Sequence, residues 1–230
     1  MGHSKQKAVT KYQLWILKIN SLILLGILLL NFVLGIVLKS MQETGGSIDP
    51  ITFIFALVAG FALQETFPYA LYNGVSRKSF FSASIFAVVV TTIAWTALTV
   101  ILTLLSRAFA ANIILYDTIY QSGVFAMAIW YFAAILCLIA SGWFFTVLAS
   151  VLTKRAKLIL IGGTVVLAPL LILLDHVTGG VILMLQKFGF LFFGVWNSSV
   201  SPYLSAGMFF LLSCVLLFFT WVIIRRKELK

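Results

Sequence analysis

The chain has 230 residues, 62% of them hydrophobic and only 10% charged, with a mean hydropathy of +1.13. Ordinary soluble domains carry about 25% charged residues, so the composition excludes a soluble fold, reads as a polytopic membrane protein, and leaves no segment for a soluble catalytic or ATPase domain. The net charge of +10, from 16 Lys+Arg against 6 Asp+Glu, would point to nucleic acid in a soluble chain; here it is expected to follow the positive-inside bias, with no nucleic-acid partner.

In chain order, residues 5–18 are predicted to form an amphipathic helix lying in the inner interface. At 100° per residue, Lys7, Lys11 and Lys18 fall within about 40° of one another, opposite Val9, Tyr12 and Ile16. Trp15 is the interfacial anchor. A spanning helix needs about 20 apolar residues, and six segments meet that test: 19–38, 51–72, 80–106, 122–152, 158–175 and 203–224. A further apolar stretch, 181–196, contains Gln186, Lys187, Gly189 and Gly194. Treated as a full crossing, it would put the basic tail Arg225–Lys230 outside. It is therefore expected to be an outer interfacial or re-entrant element between spans five and six, with Lys187 near the outer face.

Charge assigns the topology. With a cytoplasmic N-terminus and six spans, the inner segments hold Lys5, Lys7, Lys11 and Lys18; Arg77 and Lys78; Lys154, Arg155 and Lys157; and Arg225, Arg226, Lys227 and Lys230. Only Lys39, Arg107 and Lys187 fall outside, with Glu43, Asp49, Asp117 and Asp175. This asymmetry predicts a plasma-membrane protein with both termini cytoplasmic and residues 1–230 forming one transmembrane domain.

The sequence carries no P-loop, no His-Glu-x-x-His, no Cys-x-x-Cys and no Gly-x-Ser-x-Gly. Its two histidines, His3 and His176, are far apart in sequence, and Cys137 and Cys214 sit in apolar runs as small core residues. No enzyme activity, catalytic residue, metal site or cofactor within the chain is expected. Gln64 and Glu65 are the candidate intramembrane polar pair, followed by Thr66 and Pro68. Intramembrane charge is costly, so Glu65 is expected to face other helices, either as a contact that transmits loop movement and pairs with Arg77 or Lys78, or as a hydrogen bond between helices. Pro68 is expected to bend or end its helix. The loop Asn73-Gly74-Val75-Ser76-Arg77-Lys78-Ser79 is the most specific feature: Asn-Gly makes a sharp turn, Ser76 caps the next helix, and Arg77 and Lys78 face the cytoplasm. Asp175 and His176 are candidates for an outer vestibule.

This layout resembles the membrane subunits of type-2 ABC exporters. Their six spans, N-terminal elbow helix, coupling element between spans two and three, and partly inserted element between spans five and six find counterparts in residues 5–18, 73–79 and 181–196. Phe67-Pro68-Tyr69-Ala70 with Asn73–Phe81 is similar to the span-two exit of small Gram-positive permeases that export antimicrobial or amphipathic peptides, the phenol-soluble-modulin exporters of staphylococci among them. The resemblance implies a permease moving an amphipathic or hydrophobic substrate, most readily a peptide. It further implies two ABC ATPase subunits that bind ATP-Mg and contact Asn73, Gly74, Val75, Ser76, Arg77 and Lys78, and a second permease, identical or homologous. Alternatives of another class are the substrate-binding membrane subunit of an importer and an ion channel or secondary transporter.

Overall fold

The computed structural model describes residues 2–40, 48–109, 115–120, 122–153, 190, 192–196 and 199–226. Five helices are long and apolar enough to cross a membrane: α1 (Gly2–Ser40), α2 (Ile48–Tyr72), α3 (Arg77–Phe109), α5 (Val124–Val151) and α6 (Pro202–Arg226). A short helix α4 (Leu115–Ile119) and a hairpin of β1 (Val195–Trp196) and β2 (Ser199–Val200) complete the described residues. The chain is a multi-pass helical membrane protein. The expected fifth span, 158–175, lies outside the described residues, as do Asp175, His176 and Lys187.

Residues 5–18 are helical, but they do not form a separate elbow. They run without a break into the first span, giving one helix of 39 residues, about 58 Å long. The reason lies in the packing seam. Gln13, Leu17, Leu24 and Leu28 are all buried on one face, and spacings of four and seven residues keep them on the same side of a straight helix. This seam lies against α2 and α3, so the basic segment is carried on the bundle by continuous burial. Lys7, Lys11 and Lys18 stay exposed, as the wheel predicts. Helix α2 continues through Pro68 to Tyr72, so the proline does not end it.

α5 is the central helix. It carries three of the largest buried side chains, Trp130, Tyr131 and Trp143, and packs on α2, α3 and α6. Its tightest contact is with α2, where Gly60 and Gly142 meet. A Cβ built on Gly60 would lie 2.7 Å from Trp143 N and 2.9 Å from Gly142 Cα. A Cβ on Gly142 would strike the Leu57 carbonyl. Lipid tails are as apolar as leucine, so close packing of this kind is what holds helices together in a bilayer.

The bundle has two distinct ends. At one, the start of α3 meets both chain ends: Gln6 Nε2 donates to Ser82 Oγ at 3.3 Å, and Arg77 Nη1 donates to the Arg225 carbonyl at 2.7 Å. At the other, the starts of α2, α5 and α6 gather with α4 and the hairpin. α5 and α6 run in the same direction. Trp130 and Ser205 bond near their starts, while Trp143 and Trp221 both pack on Phe81 toward their ends. Of the stretch 181–196, Phe190 and residues 192–196 are described. Phe193 lies at the capped end, where its carbonyl accepts from Tyr120 Oη at 2.7 Å.

Gly60→Ala and Gly142→Ala are each expected to destabilise the detergent-solubilised protein by about 1–3 kcal/mol, because overpacking forces the helices apart. Gly26, with nothing within 4 Å of a built Cβ, is the control; Gly26→Ala is expected to be neutral or stabilising by up to about 1 kcal/mol. Thermal unfolding followed by size-exclusion fluorescence reads all three.

Candidate functional site

The loop between α2 and α3 is built from interlocking caps. Gly74 has φ of +70°, a left-handed conformation that glycine adopts without strain. Its N–H donates to the Leu71 carbonyl at 2.9 Å, and Val75 N–H donates to the Ala70 carbonyl at 3.0 Å. This pair of bonds is a Schellman ending, and it satisfies the last carbonyls of α2. Asn73 adds its side chain, donating from Nδ2 to the Tyr69 carbonyl at 2.8 Å. Val75 is buried and anchors the turn on the core. Ser76 then opens α3: its Oγ accepts from Ser79 N–H at 3.1 Å and donates to Ser79 Oγ at 2.9 Å. The turn and cap read from Asn73-Gly74 and Ser76 are both present.

Arg77 and Lys78 differ, although the sequence treats them alike. Arg77 is half-buried and holds the carbonyl of Arg225 at the end of α6. A cation at a helix C-terminus is favourable because it meets unpaired carbonyls and the negative end of the dipole. Lys78 is exposed. The loop is thus joined to α6, and Lys78 has no ion pair among the described residues.

The polar pair in α2 requires a correction. Gln64 is buried, and its Oε1 has no partner among the described residues. Glu65 is exposed on the outer face of α2 and does not pack among the described helices. Among the described residues the ion pair is Arg107–Asp117, so Glu65 pairs with neither Arg77 nor Lys78. Register explains its exposure. Gln13 on α1 donates from Nε2 to Ser84 Oγ at 2.6 Å and to Thr66 Oγ1 at 3.4 Å. Glu65 is therefore level with the Lys11–Trp15 turn of α1. Trp15 is 58% exposed, and exposed tryptophan beside lysine marks the membrane–water interface. At that level a carboxylate reaches water and has no need of a helix partner.

Sequence reasoning missed the polar structure at the opposite end. Asp49, expected in an outer loop, is 1% exposed. Its Oδ1 accepts from Tyr131 Oη at 2.6 Å, and its Oδ2 accepts from Leu115 N–H at 2.6 Å. One carboxylate therefore ties the start of α2 to α4 and α5. Arg107 and Asp117 form a two-pronged ion pair that closes α3 onto α4. Tyr116, Tyr120, Trp130 and Tyr131 pack as one aromatic group with ring centroids 5.1–6.1 Å apart. Burial pushes the phenols of Tyr116 and Tyr120 upward, so both remain neutral. Trp130 Nε1 donates to Ser205 Oγ at 3.0 Å, which donates on to the Phe192 carbonyl at 2.6 Å. The signal available in sequence was the aromatic density of 116–131 beside Asp117, but nothing there shows that Asp49 joins it.

A third polar element is buried within α3. Thr92, Thr96, Thr99, Thr103 and Ser106 are all buried, spaced four and three residues apart on one face. Thr92 bonds the Val88 carbonyl at 2.8 Å, while the hydroxyls of Thr96 and Thr99 have no partner among the described residues. Such hydroxyls are the usual polar contacts between membrane helices.

Asp49→Ala leaves Tyr131 Oη and Leu115 N–H unsatisfied and is expected to cost about 1–3 kcal/mol. Asp49→Asn keeps a carbonyl acceptor and is expected to cost less. Hydrogen exchange at Leu115 is expected to accelerate in the alanine variant; unchanged exchange there would mean that the carboxylate does not hold α4.

Compared with known protein families, with curated proteins and with solved structures, the chain has no significant match in any of the three.

Proposed function

We propose that this chain is the permease subunit of an ATP-driven ABC exporter, located in the plasma membrane of a Gram-positive bacterium and moving an amphipathic or hydrophobic substrate, most readily a peptide. The observation that carries this reading is the loop Asn73–Ser79. It is fixed by the Gly74 turn, the buried Val75 and the Ser76 cap, and it is joined to α6 through Arg77. A loop so braced acts as a lever: force on it moves α2, α3 and α6 together. Two ATPase subunits binding ATP-Mg on the cytoplasmic side press on the loops of two permease copies, or of this chain and a homologous one, and shift the spans between inward- and outward-facing populations.

Two features of the fold support the six-span reading. α5 finishes at the basic end and α6 starts at the capped end, so the two run in the same direction. The described parts of both termini meet the same end of α3. Positive-inside bias then puts that end, with Lys7, Lys11, Lys78, Arg225 and Arg226, in the cytoplasm. The nearly uncharged outer surface of the spans suits a substrate entering sideways from the inner leaflet.

The test is purification of the native complex, followed by ATPase and export assays in vesicles. An ATPase is expected to copurify. Gly74→Val places a β-branched residue at positive φ, and Lys78→Glu reverses the exposed charge of the loop. Both are expected to lower substrate-stimulated ATP hydrolysis and export severalfold while the permease stays inserted. Absence of any ATPase from the complex, or full coupling in both variants, would defeat the reading.

A further inference from the structure

The basic end of α1 forms, with α3, a cleft of about 440 Å³ lined by Gln6, Lys7, Thr10, Lys11, Leu14 and Phe86. We propose that this cleft binds one anionic phospholipid of the surrounding leaflet, its phosphate between Lys7 and Lys11 and an acyl chain along α3. This site is independent of the exporter reading.

Three observations converge on it. First, Lys7 and Lys11 are exposed and one helical turn apart, so both ammonium groups reach one phosphate from the same side. Among the described residues they have no acidic partner, since the ion pair there is Arg107–Asp117. Second, the cleft changes character along its length. Beyond the lysines its wall is Leu14 and Phe86, and the line continues on α3 as Val90, Ile93 and Ala97. Phe86, Val90 and Ile93 are 58%, 38% and 55% exposed. The spacing of four, seven and eleven residues from Phe86 keeps them on one face, and the line is about 16 Å long, close to the reach of an acyl chain. Third, the level is right. Lys11 lies one turn, about 6 Å, beyond the exposed Trp15. That puts the lysines in the head-group layer and the apolar line within the hydrocarbon. The bond from Gln6 to Ser82 at 3.3 Å ties the two walls together, so the cleft is a formed groove between two helices.

A zwitterionic lipid would leave both ammonium groups without net countercharge, and a free phosphate would leave the apolar line unused. The chemistry therefore selects an anionic head group carried on acyl chains. Each lysine near an anionic surface is worth roughly fivefold in binding, so the pair is worth roughly 25-fold.

The test uses the full-length chain, purified in a neutral detergent and titrated separately with phosphatidylglycerol, phosphatidylcholine and soluble glycerol phosphate, with bound lipid counted by native mass spectrometry. Wild type is expected to retain one phosphatidylglycerol in preference to phosphatidylcholine and to ignore glycerol phosphate. Lys7→Gln combined with Lys11→Gln is expected to lose this binding by about 25-fold, and Phe86→Glu to lose it with both lysines intact. Arg226→Gln, which removes an exposed charge at the same end away from the cleft, is expected to retain it. Both lysines are exposed, so the double variant should unfold at the wild-type temperature, which is measured alongside. Equal retention of the two lipids, undiminished binding in the double variant, equal loss in Arg226→Gln, or competition by glycerol phosphate at the same concentration as the lipid would each overturn the proposal.

Discussion

The close approach of Gly60 and Gly142 is the constraint on which the remaining packing depends. In water, burial of leucine would be enough to bring two helices together. In a bilayer it is not, because the tails solvate leucine as well as another helix does. What remains is contact that lipid cannot match, and two glycines facing each other bring α2 and α5 closer than any side chain would allow. With α5 held there, Trp130, Tyr131 and Trp143 are placed in the interior, and α3 and α6 pack on the flanks of the same helix.

The two ends of the bundle are held by different chemistry. At the capped end, Asp49, Tyr131 and the Leu115 amide make a buried polar junction, roofed by the tyrosines of 116–120 and fastened by Arg107–Asp117. Each member is held by a partner from another element, so the short helix α4 needs no intrinsic stability. At the basic end the described contacts are a serine-capped helix start, a Schellman turn, the bond from Gln6 to Ser82 and one arginine reaching the end of α6. The central aromatic residues Trp143, Phe81 and Trp221 connect that loop region to α5 and α6.

The two acids of α2 show how depth and neighbours govern an ionisable side chain. Asp49 is placed in a loop by its sequence context, yet it is nearly fully buried and doubly hydrogen-bonded. Glu65 lies inside an apolar run, yet it is exposed. Hydropathy averages over a window and is blind to which side of the helix a residue occupies. Glu65 reaches water because α2 is level there with the lysines of α1; Asp49 is covered because α4 and α5 close over it.

Much of the architecture is legible in the residues alone. Long apolar runs require helices, since only hydrogen-bonded backbone survives in hydrocarbon, and five of the six expected spans fall on described helices, four of them within a few residues of their expected limits and the first on a helix that begins well before its expected start. The Asn73-Gly74 turn and the Ser76 cap are also legible, because they are local chemistry between neighbours in the chain. Contacts between distant residues are not. The pairing of Gly60 with Gly142, the capture of Leu115 and Tyr131 by Asp49, the diversion of Arg77 to the end of α6, and the fusion of residues 5–18 with the first span all depend on which helices become neighbours. Each side chain had several partners of suitable chemistry within reach of a flexible chain. Helix packing, acting through shape and register over tens of residues, selected among them.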